Sequence, residues 1–470
     1  MSFPLSPSAR DPWLRAVAAG ALFWGVVVVV LKLNQHAAFQ TQAYDLGLFS
    51  NVIWNTSRGL WYLNGLRGTC VLGDHFSPLL AALAPCFWIW EDARVLLVVQ
   101  SVALAAALPA AYLLGRRSTG RAGGGVLLAV WLAFLPFLHR VSAYDFHETA
   151  LGIPIILWML VAREQGRDRA FWTLAAALVL LREDYGLSLA GLGVAWLLAE
   201  GPGARQTAWA LAIGGIVWTA VVLLGVMPLF RGGGQSLAFS YGNLGRTPAE
   251  VATAFLKPSV WRALSPGWGI RGGSLLVVLA WTGGAALFAP RLAPAWLVPL
   301  ALQLVSGREG QVRLQAHYSA VVIPFLVYAA ARGLGVLSSR PWMVPRRDRI
   351  FVLLGGAAVA GGLFFMPRYY RRPPPERAGA AIALRRVPAE ASVQASADLL
   401  PHLCLRRTIL LAPDPRRTEW VALDRAPFGF LPPPGLAATL DRFAERNAAS
   451  RVYAEGGIEL YHFPPPETPS

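Results

Sequence analysis

The sequence of 470 residues is short of charge, cysteine and lysine. Charged residues make up 14 % of it, whereas a soluble domain carries roughly 25 %, and this deficit excludes an ordinary soluble protein. The three cysteines have neither the spacing of a metal site nor the number needed for a disulfide framework, although a Cys70–Cys404 pair stays open if both face an oxidising compartment. Only Lys32 and Lys257 are lysines among 42 basic residues, a skew that we attribute to genome composition.

Apolar sequence is what the chain has in quantity. Hydrophobic residues make up 55 % of it, and apolar runs near twenty residues recur, which predicts a polytopic α-helical membrane protein. The net charge of +16 suggests nucleic-acid binding in a soluble protein, but basic residues collect in the cytoplasmic loops of membrane proteins. We therefore predict no nucleic-acid partner. The first apolar run, 13–33, is too long for a signal-peptide core and predicts an uncleaved span.

About eleven transmembrane helices are predicted from the apolar runs. The segment 77–90 is not one of them, because fourteen residues with two prolines suit an interfacial or re-entrant helix better than a span. The stretch around 180–186, "LLREDYG", is read as a break between two short helices, since three consecutive charges at a helix centre cost roughly 2.5–3.5 kcal/mol each. The predicted spans are 13–33, 94–114, 124–138, 149–163, 170–181, 187–199, 206–230, 273–289, 292–305, 318–337 and 350–366.

Loop charges give the orientation. If 77–90 does not cross, the arginine-rich segments 116–121, 163–169 and 340–349 fall on one side, which the positive-inside tendency makes cytoplasmic. The prediction is therefore an integral protein of the cytoplasmic (inner) membrane, with the N-terminus inside and the C-terminus outside.

Three regions follow from this topology. Residues 1–366 are predicted to form the transmembrane domain, with a first outer loop at 34–93. Residues 367–377, "PRYYRRPPPER", form a stiff proline-rich linker, and 378–470 form a small extracytoplasmic α/β domain. In that domain we expect strands in "ASVQAS", "TILLAP" and "EWVALD", a hairpin turning at Gly456-Gly457, and helices near 378–386 and 434–447.

Four outer loops each bring ionisable residues to one face of the predicted bundle, and ionisable residues within a membrane protein are functional by default. A carboxylate there can act as a general base, and arginines can bind a phosphate and stabilise it as a leaving group. These residues are Asp45, Asp74 and His75; Asp145, His147 and Glu148; Arg182, Glu183 and Asp184; and Arg308, Arg313 and His317.

A divalent metal is open as a cofactor. Asp45, His75, His147 and Glu148 are conceivable ligands, but their spacing is not diagnostic. Each candidate group also has a structural interpretation. Asp45 fits the cap of an apolar-faced helix, and Asp145 with Glu148 fits a capping box. The others fit ion pairs or solvated loop charges: Arg182 with Glu183 and Asp184, and Arg308 with Arg313.

The ordered motifs resemble a known family. "YDLGLFSNVIWNTSRG", "DHFSPLLAALAP", "DFHETALGIP", "LLREDYGLSL" and "HYSAVVIPFL" are similar to an uncharacterised prokaryotic family of predicted membrane proteins, a domain of unknown function, over roughly 40–425. Where that family usually has the lysine of a "KED" motif, this chain has Arg182, which keeps the positive charge as a broader donor. The family in turn distantly resembles the GT-C glycosyltransferases.

That second resemblance implies a fold and an activity. A GT-C enzyme takes a sugar from a polyprenyl-phosphate carrier on the outer face and has an acidic residue in its first outer loop, the position that Asp45 occupies. Segments 45–58 and 77–90 then correspond to juxtamembrane helices. The implied partners are a polyprenyl-phosphate sugar donor and membrane lipids. The implied site has Asp45 as the base, and the other candidates bind substrate: Arg182, Arg313 and His317 the donor phosphate, and His75, Asp74, Asp145, His147, Glu148, Glu183 and Asp184 the remaining pocket.

Two alternatives from other classes stay open. A transporter or flippase is expected to place ionisable groups on broken helices in two symmetric halves, and the sequence shows one broken pair near 182–186 without a mate. A non-catalytic membrane scaffold is the other.

Overall fold

The computed structural model describes residues 11–231, 241–245, 247–258, 260–261, 267–282, 284–370, 378–416, 418–425 and 436–463. It is mostly helical up to residue 370 and mixed beyond residue 378. The helices of the first half are α1 (Pro12–Ala37), α2 (Leu48–Ser57), α3 (Ala84–Ile89), α4 (Arg94–Thr119), α5 (Ala122–Ala133), α6 (Pro136–Ala143), α7 (Glu148–Glu164), α8 (Asp168–Val179), α9 (Tyr185–Ala199) and α10 (Arg205–Val221). Those that follow are α11 (Met227–Phe230), α12 (Pro248–Thr253), α13 (Trp268–Trp281), α14 (Ala293–Leu304), α15 (Glu309–Val312), α16 (Ile323–Ser338) and α17 (Arg347–Phe365).

Within the described residues, four helical stretches are long and apolar enough to cross a bilayer. A fifth is added if α5 and α6, which meet at a 45° bend, form one span. The other predicted spans coincide with shorter helices, such as α8 and α14, which have 12 residues each. The count of eleven spans therefore stays a prediction. The four stretches are Pro12–Ala37, Arg94–Thr119, Pro202–Phe230 and Arg347–Arg368.

The predicted helix break and the predicted short helix at 77–90 are both present, and the interfacial placement of 77–90 stays a prediction. The charged stretch interrupts the helix as expected, because α8 ends at Val179 and α9 begins at Tyr185. The segment 77–90 forms a 3-10 turn, Pro78–Leu83, followed by α3. The predicted juxtamembrane segment 45–58 is also helical, as a π-helical turn, Ala43–Gly47, that continues into α2.

Small residues set the contact between α9 and α10. A Cβ at Gly215 would lie 2.2 Å from the Gly186 carbonyl oxygen, and one at Gly193 would lie 2.5 Å from that of Ala208. Close backbone approach through small residues is a common way for membrane helices to pack. This contact fixes the start of α9, directly after the charged break.

The region after residue 378 contains helices α18 (Ala378–Leu384) and α19 (Leu436–Arg446) and a five-stranded mixed sheet with the order β4-β3-β5-β7-β6. β3 pairs in parallel with β4 and β5, and β7 pairs antiparallel with β5 and β6. The predicted strands and hairpin are present, and Gly456 and Gly457 turn the hairpin with positive φ. These strands are β3 (Val393–Ala395), β4 (Ile409–Leu411), β5 (Trp420–Asp424), β6 (Arg451–Glu455) and β7 (Ile458–His462); a two-stranded hairpin, β1 (Leu63–Asn64) and β2 (Thr69–Cys70), lies in the first loop. Of the predicted linker, residues 371–377 lie outside the described residues, as do parts of the stretch between α11 and α13.

This C-terminal region shares a hydrophobic core with the first loop. The Asn51 amide donates to the carbonyls of Cys404 and Arg406, at 2.8 and 2.9 Å. His36 stacks on His402 with ring centroids 4.0 Å apart. The α/β region therefore packs directly on the segment that carries Asp45.

The Cys70–Cys404 pair that the sequence left open is not formed. Both cysteines are free, and Cys404 is buried. Its thiol donates to the Pro401 carbonyl, and its own carbonyl accepts a hydrogen bond from the Asn51 amide.

Candidate active site

Asp45 lies in the π-helical turn that precedes α2. The Tyr144 hydroxyl donates to its Oδ2, and His147 Nε2 lies 3.9 Å from its Oδ1. Its side chain caps no helix: the residue before the turn is Gln42, and the residue before α2 is Gly47, which has no side chain. The cap interpretation of Asp45 is therefore wrong, and its carboxylate is directed at groups from another loop.

The environment of Asp45 tunes its ionisation. Burial raises the pKa of the Asp45 carboxyl to about 6, although the hydrogen bond from Tyr144 works in the opposite direction. A carboxylate that titrates near 6 is ionised at neutral pH and still basic enough to accept a proton, which is what a general base requires.

The loop between α6 and α7 presents the partners of Asp45. His147, and not Asp145, caps the N-terminus of α7, so the capping box proposed for Asp145 and Glu148 is wrong. Asp145 is buried and accepts a hydrogen bond from the Gln42 amide at 2.6 Å. Gln100 of α4 accepts from the His147 amide at 2.9 Å. Asp145 therefore anchors the loop to the first outer segment.

Two histidines stack beside Asp45. The rings of His147 and His317 are 3.4 Å apart at 17°, and the edge of Phe49 contacts His147. Ligand atoms of Asp45, His147 and His317 all lie within 4.8 Å of one another. Asp45 and His147 are two of the metal ligands that the sequence suggested; His317 is the third member of this group.

Arg182 lies among three carboxylates in the break between α8 and α9. Its guanidinium is 3.9 Å from Glu148, 3.6 Å from Glu183 and 3.5 Å from Asp184. Several buried polar atoms of this cluster have no hydrogen-bond partner among the described residues, which makes it suited to a polar ligand. They are Oε1 of Glu148, Nε of Arg182 and Oδ1 of Asp184. The other oxygen of Glu148 lies 2.9 Å from His147 Nδ1, and in the neighbouring histidine pair Nδ1 of His317 also has no partner among the described residues.

His75 ties the first outer loop to this break. Its Nδ1 lies 3.2 Å from Glu183 Oε1, and the Phe76 amide donates to Glu183 Oε2 at 3.0 Å. Although burial opposes ionisation of Glu183, the hydrogen bond and charge of His75 and the charge of Arg182 lower its pKa to about 2. Glu183 is thus a permanent carboxylate, and the pKa of His75 is raised against its own burial.

Two predicted residues are engaged elsewhere. Asp74 pairs with Arg67 at 2.7 Å. Arg313 pairs with Glu309 at 2.6 Å, because the two residues lie one helical turn apart. The Arg313 side chain is 46 % exposed. Arg308, which the sequence analysis placed among the ionisable residues of the outer loops, acts electrostatically on Asp45.

Sequence reasoning missed three further residues of this site. Tyr144 stands directly before Asp145 in "YDFHE", so its position was available as a signal. Lys32 is buried and donates to the Ala143 carbonyl at 2.8 Å, and a lysine at the end of an apolar span is itself a signal. Gln100 carries no sequence signal.

The fold is similar to solved membrane glycosyltransferases of the GT-C type. ArnT from Cupriavidus metallidurans bound to undecaprenyl phosphate matches with a TM-score of 0.54 and 11 % identity, over 96 % of this chain and 98 % of ArnT. The Archaeoglobus fulgidus oligosaccharyltransferase tethered with an acceptor peptide matches with a TM-score of 0.50 and 15 % identity, over 86 % of this chain and 64 % of that one. The same oligosaccharyltransferase in complex with Zn and sulfate matches equally, over 86 % and 68 %.

No curated protein shows significant sequence similarity to the chain. The model of one family, described as predicted membrane protein (DUF2079), matches residues 35–428, which is most of the chain. The protein therefore belongs to the predicted membrane protein family DUF2079.

Proposed function

We propose that this protein is a membrane glycosyltransferase that transfers a sugar from a polyprenyl-phosphate carrier to an acceptor. The observation that carries the proposal is the meeting of the Asp45 carboxylate with His147, His317 and the Arg182 cluster. The similarity to ArnT, which was solved with undecaprenyl phosphate, supports the carrier, and the oligosaccharyltransferase with its acceptor peptide supports transfer to an acceptor.

The residues then divide the chemistry. Asp45 takes the proton from the attacking group of the acceptor, because it is ionised at neutral pH and directed into the cluster. Arg182 and Arg308 stabilise the phosphate that leaves. His75 and Glu183 hold the break in place, and Asp145 anchors its loop, so these act through the residues that they position.

A divalent metal fits the donor set in part. Two imidazoles and a carboxylate suit Zn²⁺, and three carboxylates around one arginine leave negative charge that a cation would neutralise. In-plane lone pairs of stacked rings do not meet at one point, so His147 or His317 has to rotate to bind it. Asp45, His147 and His317 would hold the ion, which would act as a Lewis acid on the leaving phosphate.

The proposed setting is the cytoplasmic membrane, with the site at its outer face. Residues 1–366 would form the transmembrane domain, 367–377 the linker and 378–470 a domain outside the membrane. Several exposed aromatic side chains near the site, including Tyr44, Trp61 and Trp88, support contact with lipid at the interface.

The test compares glycolipids and glycoproteins of cells carrying wild type, Asp45→Asn or Asp92→Asn. We expect Asp45→Asn to reduce transfer by about 10²-fold or more, as loss of a general base does. Asp92, on the same loop, pairs with Arg94 at the surface, so Asp92→Asn is the matched control. If no glycoconjugate differs between the three strains at equal protein level, the transferase proposal fails and transport becomes the better reading.

A further inference from the structure

A cavity lies at the opposite end of the helical bundle from Asp45. Its volume is about 690 Å³, and it lies among the C-terminal ends of α4, α7 and α16 and the turn before α14. Helix α7 joins the two sites, with Glu148 at one end and Glu164 at the other. Seventeen residues at 1.5 Å each separate them by about 25 Å, which is close to the thickness of the hydrocarbon core.

The arginines at this cavity outnumber the carboxylates that pair with them. Arg332 contacts Glu164 at 3.2 Å and Glu200 at 2.5 Å. Arg117 contacts the other oxygen of Glu164 at 2.5 Å. Arg291 lines the same cavity and is exposed, and it forms no ion pair with any residue that the structure describes. Three arginines and one carboxylate, Glu164, line the cavity, and Glu200, outside the lining, pairs with Arg332, so the lining is net positive with Arg291 as the arginine that these carboxylates do not pair.

The rim of the cavity is apolar. Phe288 and Val336 line it and are 46 % and 41 % exposed, and Leu287 beside Phe288 is 56 % exposed. The cavity also lies at the ends of α4, α7 and α16, which the proposed topology puts at the depth of the lipid headgroups. A ligand that matches both features has one negative charge on a compact head and an apolar tail.

We infer that this cavity binds the phosphodiester headgroup of an anionic phospholipid. A phosphodiester carries one negative charge, which the positive charge of Arg291 can balance, and a guanidinium binds its oxygens bidentately. The acyl chains lie along Phe288 and Val336. The site is separate from the proposed transfer chemistry and does not depend on it.

The test is native mass spectrometry of the full-length protein titrated with phosphatidylglycerol and, separately, with phosphatidylcholine. We expect saturable 1:1 binding of phosphatidylglycerol that Arg291→Gln weakens by about fivefold, the effect of one arginine near a membrane surface. Because Arg291 is exposed, the variant should keep the melting temperature of wild type. Arg349→Gln, which removes an exposed arginine of α17 away from the cavity lining, is the control and should change the affinity less than about twofold.

Three results would overturn the proposal: no preference for phosphatidylglycerol over phosphatidylcholine, equal affinity in wild type and Arg291→Gln, or an equal loss in both variants. A further titration uses the soluble headgroup, glycerophosphoglycerol. If it binds as tightly as the lipid, the ligand is a free phosphodiester and the lipid assignment is wrong.

Discussion

Asp45 is subject to two opposed effects that together set its chemistry. Burial disfavours its charge, and the Tyr144 hydroxyl stabilises it. The balance puts its pKa at about 6, so the ionised form dominates at neutral pH and is lost as the pH falls through about 6. A transfer reaction that uses Asp45 as the base therefore loses rate on the acid side of that value.

Replacing Tyr144 by Phe should move this acid limb to higher pH. The change removes the donor that favours the carboxylate, so the pKa of Asp45 rises further and protonation begins nearer neutrality. The measurement is the pH profile of sugar transfer in membranes. Tyr62→Phe serves as the control, since the Tyr62 hydroxyl donates to the Pro78 carbonyl on the same loop. Identical profiles for both variants would contradict the role given to Tyr144.

Sequence could suggest the residue types of this site but not which of them meet. Arg308 and Arg313 are five positions apart in one loop, and nothing in the pattern separates them. The structure does so because Glu309 lies one turn before Arg313 and pairs with it, whereas Arg308 donates to the Tyr318 hydroxyl beside the histidine pair.

At the level of elements, the break between α8 and α9 was predictable, because three charges inside an apolar helix are too costly to be continuous with it. The contact that holds the broken end was not predictable. Gly186, two residues after Asp184, meets Gly215 of α10 at backbone distance. A single glycine in an apolar run does not indicate which helix it faces.

Gly215→Ala should destabilise the protein and Gly214→Ala should not. A Cβ at Gly215 would clash with the Gly186 backbone, whereas a Cβ at Gly214 meets nothing within 4 Å. Overpacking typically costs about 1–3 kcal/mol, and alanine at an open helix position is neutral to stabilising by up to about 1 kcal/mol. Thermal unfolding of the two detergent-solubilised variants checks this. Equal melting temperatures would show that the helices separate there without cost.

In the C-terminal region, too, the elements could be predicted from the sequence but their arrangement could not. The strands and their glycine hairpin were readable from short β-branched runs, and they are present. The order β4-β3-β5-β7-β6 was not readable, because parallel partners are chosen by long-range packing and not by turns.

For the whole molecule, orientation is the prediction that matters most. Reporter fusions after residues 60, 118 and 400 should read outside, inside and outside, since the arginine-rich segments stay in the cytoplasm. This result would place Asp45 and the α/β region on one side and the Arg291 cavity on the other. Any other order of reporter signals would refute the proposed topology and the shared outer site. A fusion after residue 33, predicted to read outside, checks the first crossing by itself.

Assembly of the site has to wait for the region after residue 378. Asn51, which follows Asp45 by six residues, is held by backbone that is synthesised 353 residues later, at Cys404. The Asp45 segment therefore leaves the ribosome early but gains its packing partner only when the segment between β3 and β4 has been made and, in the proposed topology, moved across the membrane. A truncated or stalled chain would carry Asp45 without the support that positions it. Under the proposed function, such a chain would not transfer sugar until the region around Cys404 has been made and exported.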